Sequence, residues 1–196
     1  MILAGGRGSR IGYDKKKLLL NGKIVIDSLI DKLCGIFDEI IVSSNNEFKH
    51  EYVTVLPDDV GAGPLAGIYR GLKRCKSGYL YVIACDMPFV SPAYIAFIRG
   101  KLEAASPQEY DACVARTGGD DGFLEPFNSF WGRSCIAPVR AALENGSYKI
   151  LPVLKQLRLL AIENREARRF FDDAGGDLFF NINYTSDLQA AMAAKE

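Results

Sequence analysis

Histidine is nearly absent from this sequence: its 196 residues include one, His50. A Ser–His or Cys–His nucleophile pair would have to be built on that residue, and it stands in the polar stretch Asn45 to Glu51, where it reads as a solvated loop side chain. The five cysteines (Cys34, Cys75, Cys85, Cys113 and Cys135) contain no C-x-x-C pair. With one imidazole and no paired thiols, a zinc site is disfavoured. Four of the cysteines lie inside apolar periodic segments and read as small core residues of a reduced protein. Net charge is missing too, 24 Lys+Arg against 24 Asp+Glu, so no global field points to nucleic acid or to an acidic membrane surface. No stretch reaches the roughly 18 consecutive apolar residues of a membrane span. The opening Met-Ile-Leu-Ala-Gly-Gly-Arg has no charged start followed by an apolar core, so no signal peptide is expected, and the expected compartment is the cytoplasm. There is one tryptophan. Trp131 sits in an apolar run and reads as core rather than as a stacking platform.

What remains is a packing chain, 48% hydrophobic and 11% aromatic, of a length that suits one domain over residues 1–196. Glycine and proline divide it into short apolar runs alternating with helix-period runs. Ile26, Leu29, Ile30, Leu33 and Phe37 fall on one helical stripe. Residues 39–43, 52–56 and 78–85 read as buried strands, 64–75 and 92–105 as helices, and 111–115 as a strand. In the second half, 125–131 reads as a strand, 133–143 as a helix, 159–162 as a strand, 178–182 as a last strand and 184–194 as a last helix. Alternating strands and helices predict parallel pairing through right-handed crossovers. The expected fold is therefore a Rossmann-like three-layer α/β/α sandwich with a mostly parallel central sheet. Residues 117–122 are glycine-rich and predict a loop.

In an open α/β sheet, ligands lie beyond the carboxyl ends of the strands, so the residues after each strand are the candidates. After the first come Gly5, Gly6, Arg7, Gly8, Ser9, Arg10, Ile11, Gly12, Tyr13, Asp14 and Lys15. Glycines let backbone N–H groups approach an anion, and Arg7, Arg10 and Lys15 carry the charge to hold one, as a triphosphate requires. A glycine-rich surface turn with solvated cations is the alternative, and neither the Walker loop nor the G-x-G-x-x-G fingerprint is present. Asp86 ends the strongest apolar strand. It reads either as a ligand of nucleotide-bound magnesium or as the cap of the turn that Pro88 enforces. Asn181 and Asn183 could complete a metal shell, hold a sugar hydroxyl or serve as Asx-turn residues. Asp58 and Asp59 follow the third apolar run, as acceptors for a base or ribose or as turn residues.

In combination these pieces are far more specific. The run Leu3-Ala4-Gly5-Gly6-Arg7-x-Ser9-Arg10-Ile11-Gly12-x-Asp14-Lys15 resembles the signature loop of the GT-A-like nucleotidyltransferases, and among them that of the MobA family of molybdenum cofactor guanylyltransferases. Gly63-Pro64-Leu65-Ala66-Gly67-Ile68, Cys85-Asp86-Met87-Pro88-Phe89 and Asn181-Ile182-Asn183 before Asp187-Leu188 follow in the family's order. The cytidylyl relatives usually carry L-A-A-G and Asn-Lys, whereas this chain has Leu-Ala-Gly-Gly and Asp14-Lys15. Three departures accompany the resemblance. Only Met1 and Ile2 precede the loop, which predicts a very short first strand and raises the question of a longer native N-terminus. Ser43 stands where the family has Asn, with Asn45 two residues on. The usual Pro of Asn-x-Asn-Thr-Pro is absent after Asn183.

The resemblance implies GMP transfer from GTP to the terminal phosphate of molybdopterin, with Mg2+, by a chain whose nucleotide half is about residues 1–105 and whose acceptor half is about 106–196. It implies that Leu3, Ala4, Gly5, Gly6, Arg7, Gly63, Pro64 and Leu65 wrap the nucleotide and that Asp58 meets the guanosine. Lys15, Arg10 and Asp86 would serve the phosphates, Asp86 and Asn183 the metal, and Asn181, Asn183 and Glu125 the acceptor. Proteins that deliver the cofactor or mature molybdoenzymes are the implied partners. Two alternatives stay open: cytidylyl or other nucleotidyl transfer to a related phosphorylated acceptor, and a non-catalytic nucleotide-binding chaperone of the cofactor.

Overall fold

The computed structural model describes residues 1–5, 18–45, 52–57, 63–106, 109–118 and 122–193. His50 lies outside them. Along the chain the elements are β1 (Ile2–Leu3), β2 (Leu19–Leu20), β3 (Lys23–Ile24), α1 (Val25–Cys34), β4 (Ile40–Ser43), β5 (Val53–Leu56), α2 (Gly63–Arg74), β6 (Tyr79–Ala84) and α3 (Pro92–Ala104). They continue with β7 (Ala112–Thr117), β8 (Phe123–Gly132), a 3-10 turn (Arg133–Cys135) into α4 (Ile136–Glu144), α5 (Ile150–Leu154), β9 (Leu159–Glu163), α6 (Asn164–Ala167), α7 (Phe171–Ala174) and α8 (Thr185–Ala193).

Among the described residues, seven strands form the central sheet in the order β5-β4-β1-β6-β8-β7-β9. Strand alternation divides the apolar side chains between its two faces. Ile2, Val42, Tyr81, Ile83, Cys113 and Phe130 pack on one side with α1 and α3. Leu3, Ile41, Leu80, Val82, Val114 and Trp131 pack on the other with α2, α4 and α5. Every strand of this central group is thus covered on both faces, which is why those stretches read as continuous apolar runs. Trp131 is fully buried, as its apolar setting predicted. Cys75, Cys85, Cys113 and Cys135 are buried thiols in no disulfide, and burial pushes Cys113 and Cys135 up to about 12, so these two act as inert core groups.

The expected three-layer, mostly parallel sandwich is what the chain forms, with local corrections. Pairs β1–β4, β1–β6, β4–β5 and β7–β9 are parallel, but β8 runs antiparallel to both β6 and β7. The connection from Thr117 to Phe123 is far too short for a crossover helix and makes a hairpin instead. Helix α1 stops at Cys34 with Gly35 as its C-cap, so Phe37 leaves the predicted stripe and stacks on Tyr81 at 5.3 Å between ring centroids. Residues 178–182 are not a strand but a turn, closed by the Phe180 N–H on the Asp177 carbonyl at 3.0 Å, and an irregular segment. The predicted last helix begins at Thr185. A two-stranded hairpin, β2–β3, was not expected, although Asn21-Gly22 announces it: both residues have positive φ, 51° and 77°, as a type I′ turn requires.

Helix α3 begins at an N-cap that the sequence spells out. Ser91 accepts from the Tyr94 N–H at 2.9 Å and Pro92 occupies the first turn, a position where its missing donor costs nothing. The Tyr94 side chain then enters the core between Phe170 and Phe179, fully buried, and its hydroxyl has no hydrogen-bond partner among the described residues. An unsatisfied buried hydroxyl costs stability. Tyr94→Phe is therefore expected to raise the unfolding free energy by about 1 kcal/mol, read from urea unfolding midpoints at unchanged slope. A loss of stability would mean that the hydroxyl is satisfied. Also among the described residues, no helix is long and apolar enough to cross a membrane.

Candidate active site

Strand order reverses at β1. The chain passes from β1 to β4 and β5 on one side, then returns to β6 on the other, which opens a crevice at the carboxyl end of β1. The strand has two residues, as short as expected, but it is held on both sides: Ala4 N–H donates to the Ser43 carbonyl and Cys85 N–H to the Leu3 carbonyl, each at 3.0 Å. Leu3 and Ala4 are buried and Gly5 emerges into solvent. The start of the glycine-rich loop is thereby placed between Ser43 and the Cys85-Asp86 turn. Gly6, Arg7, Arg10, Lys15 and Asp58 lie outside the described residues.

Helix α2 brings its first residues to the same end of the sheet. Gly63 has a φ of +63°, which excludes side chains without strain, and the Tyr148 carbonyl lies 3.6 Å from where its Cβ would be. Pro64 is exposed and Leu65 fully buried, so the turn is anchored by one side chain and open at the other. The helix approaches β1 closely because Gly67 has no Cβ: one placed there would stand 2.7 Å from Leu3 Cδ2 and 3.3 Å from Ser43 Oγ. Ser43 is itself 1% exposed. The position where the resemblance puts an Asn thus faces α2 from inside the fold, while Asn45 is exposed.

Asp86 follows β6 at the next position of the crevice. Its residue is 7% exposed, a costly setting for a carboxylate unless cations or hydrogen bonds meet it. Its backbone carbonyl accepts from the Ile182 N–H at 2.9 Å. This bond draws residues 181–183 to the Asp86 turn although they belong to no strand. Within that segment Asn181 Nδ2 donates to the Phe179 carbonyl at 3.0 Å, a local bond to the preceding turn rather than an Asx turn leading into the last helix. The Asn183 and Tyr184 N–H groups both donate to Asp187 Oδ2 at 2.8 Å, so Asp187 starts α8 in place of the absent proline.

Glu125 reaches this neighbourhood from β8. It is half-buried and accepts from the Phe127 N–H at 3.2 Å. Burial, followed by the nearby charges of Asp177 and Asp86, pushes it up to about 7, where a carboxyl is partly protonated at neutral pH and able to donate. The structure therefore gathers Leu3, Ala4, Gly5, Gly63, Pro64, Leu65, Asp86, Asn181, Asn183 and Glu125 along one end of the sheet. Nothing in the sequence pattern singles out Asp177 or Asn128. Asp177 precedes residues 178–182, whose apolar run reads as a strand, and Asn128 sits inside β8.

A family profile described as MobA-like NTP transferase domain matches residues 1–161. Over 194 residues the chain is 37% identical to a probable molybdenum cofactor guanylyltransferase of Peptoclostridium acidaminophilum, covering 96% of this chain and 86% of that one. It is 34% identical over 192 residues to the molybdenum cofactor guanylyltransferase of Syntrophotalea carbinolica, with coverage of 96% and 88%. Among solved structures, the molybdopterin-guanine dinucleotide biosynthesis protein A of Archaeoglobus fulgidus superposes with a TM-score of 0.78 at 27% identity, over 98% of this chain and 95% of that one. The 2-C-methyl-D-erythritol 4-phosphate cytidylyltransferase of Thermus thermophilus shares the fold, with a TM-score of 0.71 at 14% identity and coverage of 100% and 98%. With its profile match, its relatives along nearly the whole chain and its crevice at the reversal of strand order, the chain belongs to the family of MobA-like NTP transferase domains.

Proposed function

We propose that the chain transfers GMP from GTP to the terminal phosphate of molybdopterin, yielding the guanine dinucleotide form of the cofactor and pyrophosphate. An oxygen of the acceptor phosphate forms a bond to the α-phosphorus, and the bond from that phosphorus to the bridging oxygen breaks, the pyrophosphate leaving with the electron pair. The observation that carries the reading is the convergence of the Leu3–Gly5 turn, the α2 entry and Asp86 with Asn183 on one crevice. The acceptor phosphate is an anion at neutral pH, so no general base is needed, which suits a site without a described histidine. Residues Leu3 to Gly6, with Arg7 and the Gly63-Pro64-Leu65 turn, enclose the nucleotide, and Asp58 meets its guanosine. Lys15 and Arg10 offset charge on the reacting phosphates. Glu125 and Asn181 border the acceptor, on the side formed by residues 106–196.

The residues fit magnesium. Asp86 and Asn183 offer hard oxygen donors, and among the described residues no three His, Cys, Asp or Glu gather into a metal cage. One or two protein oxygens completed by phosphates is the usual way this ion is held. When bound, it neutralises charge on the α-phosphate and the leaving group. The cysteines, none of them in a disulfide, suit a reducing cytoplasm, and proteins that supply or use the cofactor are the expected partners.

Calorimetric titration with GTP and with CTP, each with and without Mg2+, tests the reading. Magnesium-dependent binding that favours GTP is expected. A preference for CTP would keep the reaction type and overturn the base assignment, and absence of binding to both would overturn the reading itself.

A further inference from the structure

Strand β8 is interrupted beside the crevice. Its partner β7 pairs Cys113 with Phe130 and then Ala115 with Glu125, so residues 126–129 bulge opposite Val114 alone. The bulge is braced from inside: Ser129 Oγ donates to the Pro126 carbonyl at 2.6 Å and Trp131 Nε1 donates to the same carbonyl at 3.1 Å. At its centre Asn128 takes a left-handed conformation, φ 53°, and is fully buried. Asparagine tolerates that region better than other side chains, but it remains costly without a compensating role.

Both ends of its amide are used. The Leu178 carbonyl is only an acceptor, so Nδ2 faces it, at 3.0 Å, and Oδ1 is left to accept from the Tyr81 hydroxyl. Burial raises Tyr81 well above its usual range, so that donor stays protonated. Tyr81 stands on β6, five residues before Asp86. Leu178 opens the segment whose Ile182 N–H closes on the Asp86 carbonyl. The hydrogen bonds of Asp177 and Asn181 to Phe179 shape this segment locally without reaching the sheet. Asn128 fastens its start to β6 and β8, and Ile182 fastens its end at Asp86.

We propose that Asn128 is a positioning residue, which holds the Asn181–Asn183 segment against Asp86 through its bond to Leu178. Its catalytic consequence rests on the function proposed above. The left-handed residue inside a sheet strand is then the means by which β8 reaches over β6 to a segment that has no ladder of its own.

Asn128→Gly keeps the backbone conformation and removes the amide, whereas Tyr81→Phe removes the other bond and leaves Nδ2 on Leu178. Native-state hydrogen exchange reads the Ile182 amide directly, with the Ile83 amide as reference. Asn128→Gly is expected to speed Ile182 exchange by about ten-fold relative to Ile83, and Tyr81→Phe by less than about two-fold. In the guanylyl transfer assay, Asn128→Gly is expected to lower kcat by about ten-fold with KM for GTP within about two-fold, because the loop that encloses the nucleotide is untouched. A purely structural role would lower thermal stability in both variants and leave Ile182 exchange and kcat of the folded protein alone. That result, or Tyr81→Phe reproducing the Asn128→Gly exchange, overturns the proposal. Should Asn128→Gly fail to fold, Asn128→Asp puts an oxygen in place of the donor facing Leu178 and carries the same expectations. If exchange responds as expected but the wild-type protein transfers no GMP, the tie stands and the reaction assignment falls.

Discussion

On the function proposed above, Asp86→Ala and Lys15→Ala are each expected to reduce nucleotidyl transfer by about 10²–10³-fold, the first by removing a carboxylate that would hold the metal and the second by removing a cation that would meet the phosphates. The two variants probe different parts of the site. Asp86 lies in the turn that follows β6 and is almost completely buried. The bond from the Ile182 N–H to its backbone carbonyl survives replacement of the side chain. Loss of turnover in Asp86→Ala would therefore report on the carboxylate and not on displacement of the neighbouring segment, and Ile182 amide exchange checks that point. Lys15 belongs to the glycine-rich loop, and its loss should weaken GTP binding as well as turnover. Near wild-type rates in either folded variant would sink the proposed mechanism.

The largest effect on stability is expected at Asp111, which opens β7 from the opposite end of the sheet. Its carboxylate accepts from Arg158 three times: from the backbone N–H at 2.9 Å, from Nε at 3.1 Å and from Nη2 at 2.7 Å. These bonds clamp the start of β9 beside β7. Asp111 is 8% exposed, but the Arg158 side chain is 60% exposed, so solvent screens the pair. Asp111→Ala is expected to cost about 2 kcal/mol rather than the roughly 3–5 kcal/mol of a fully buried pair. The Arg158 guanidinium, through its hydrogen bonds, holds the Asp111 carboxyl well below the usual carboxylate range. A depressed acid stabilises the folded state above its unfolded pKa, near 3.8, and that contribution fades as pH falls from there toward the folded value. Urea unfolding at pH 7 and at pH 3 should therefore show the gap between wild type and Asp111→Asn narrowing in acid. A gap that widens in acid would refute the assignment.

Several features were legible because their causes are local. The run 78–85 is apolar at every position but its first and is bounded by Gly78 and Asp86-Met87-Pro88, and it is β6 almost to the residue. The same is true of α2 and α3, whose buried positions recur at helical spacing and whose starts carry Gly63-Pro64 and Ser91-Pro92. Misreadings arose where two structures share one pattern. Residues 178–182 are four apolar side chains and Asn181, the composition of a buried strand, yet Leu178 and Ile182 are buried in the cluster that also holds Ala191 of α8, with no ladder among the described residues. Phe37 keeps the spacing of α1 after Gly35 has ended the helix, and it finds its burial on Tyr81 instead. The reversed β8 was hidden by an average rule, since alternation of elements predicts parallel pairing except where a loop is too short to cross.

By itself the sequence determined which chemistry this chain could carry. The scarcity of histidine, the absence of paired cysteines, the cations set among glycines and the carboxylate after an apolar strand are properties of residue type and short spacing, and backbone propensity acts over that range. Only the tertiary structure decided what stands beside what. Asp86 and Ile182, the neighbour of Asn183, are nearly a hundred positions apart and are joined by a backbone hydrogen bond. Glu125 is brought beside them by a bulge that rests on Asn128. Contacts of that kind follow from the register between strands and from the packing of both faces of the sheet, which no local pattern contains.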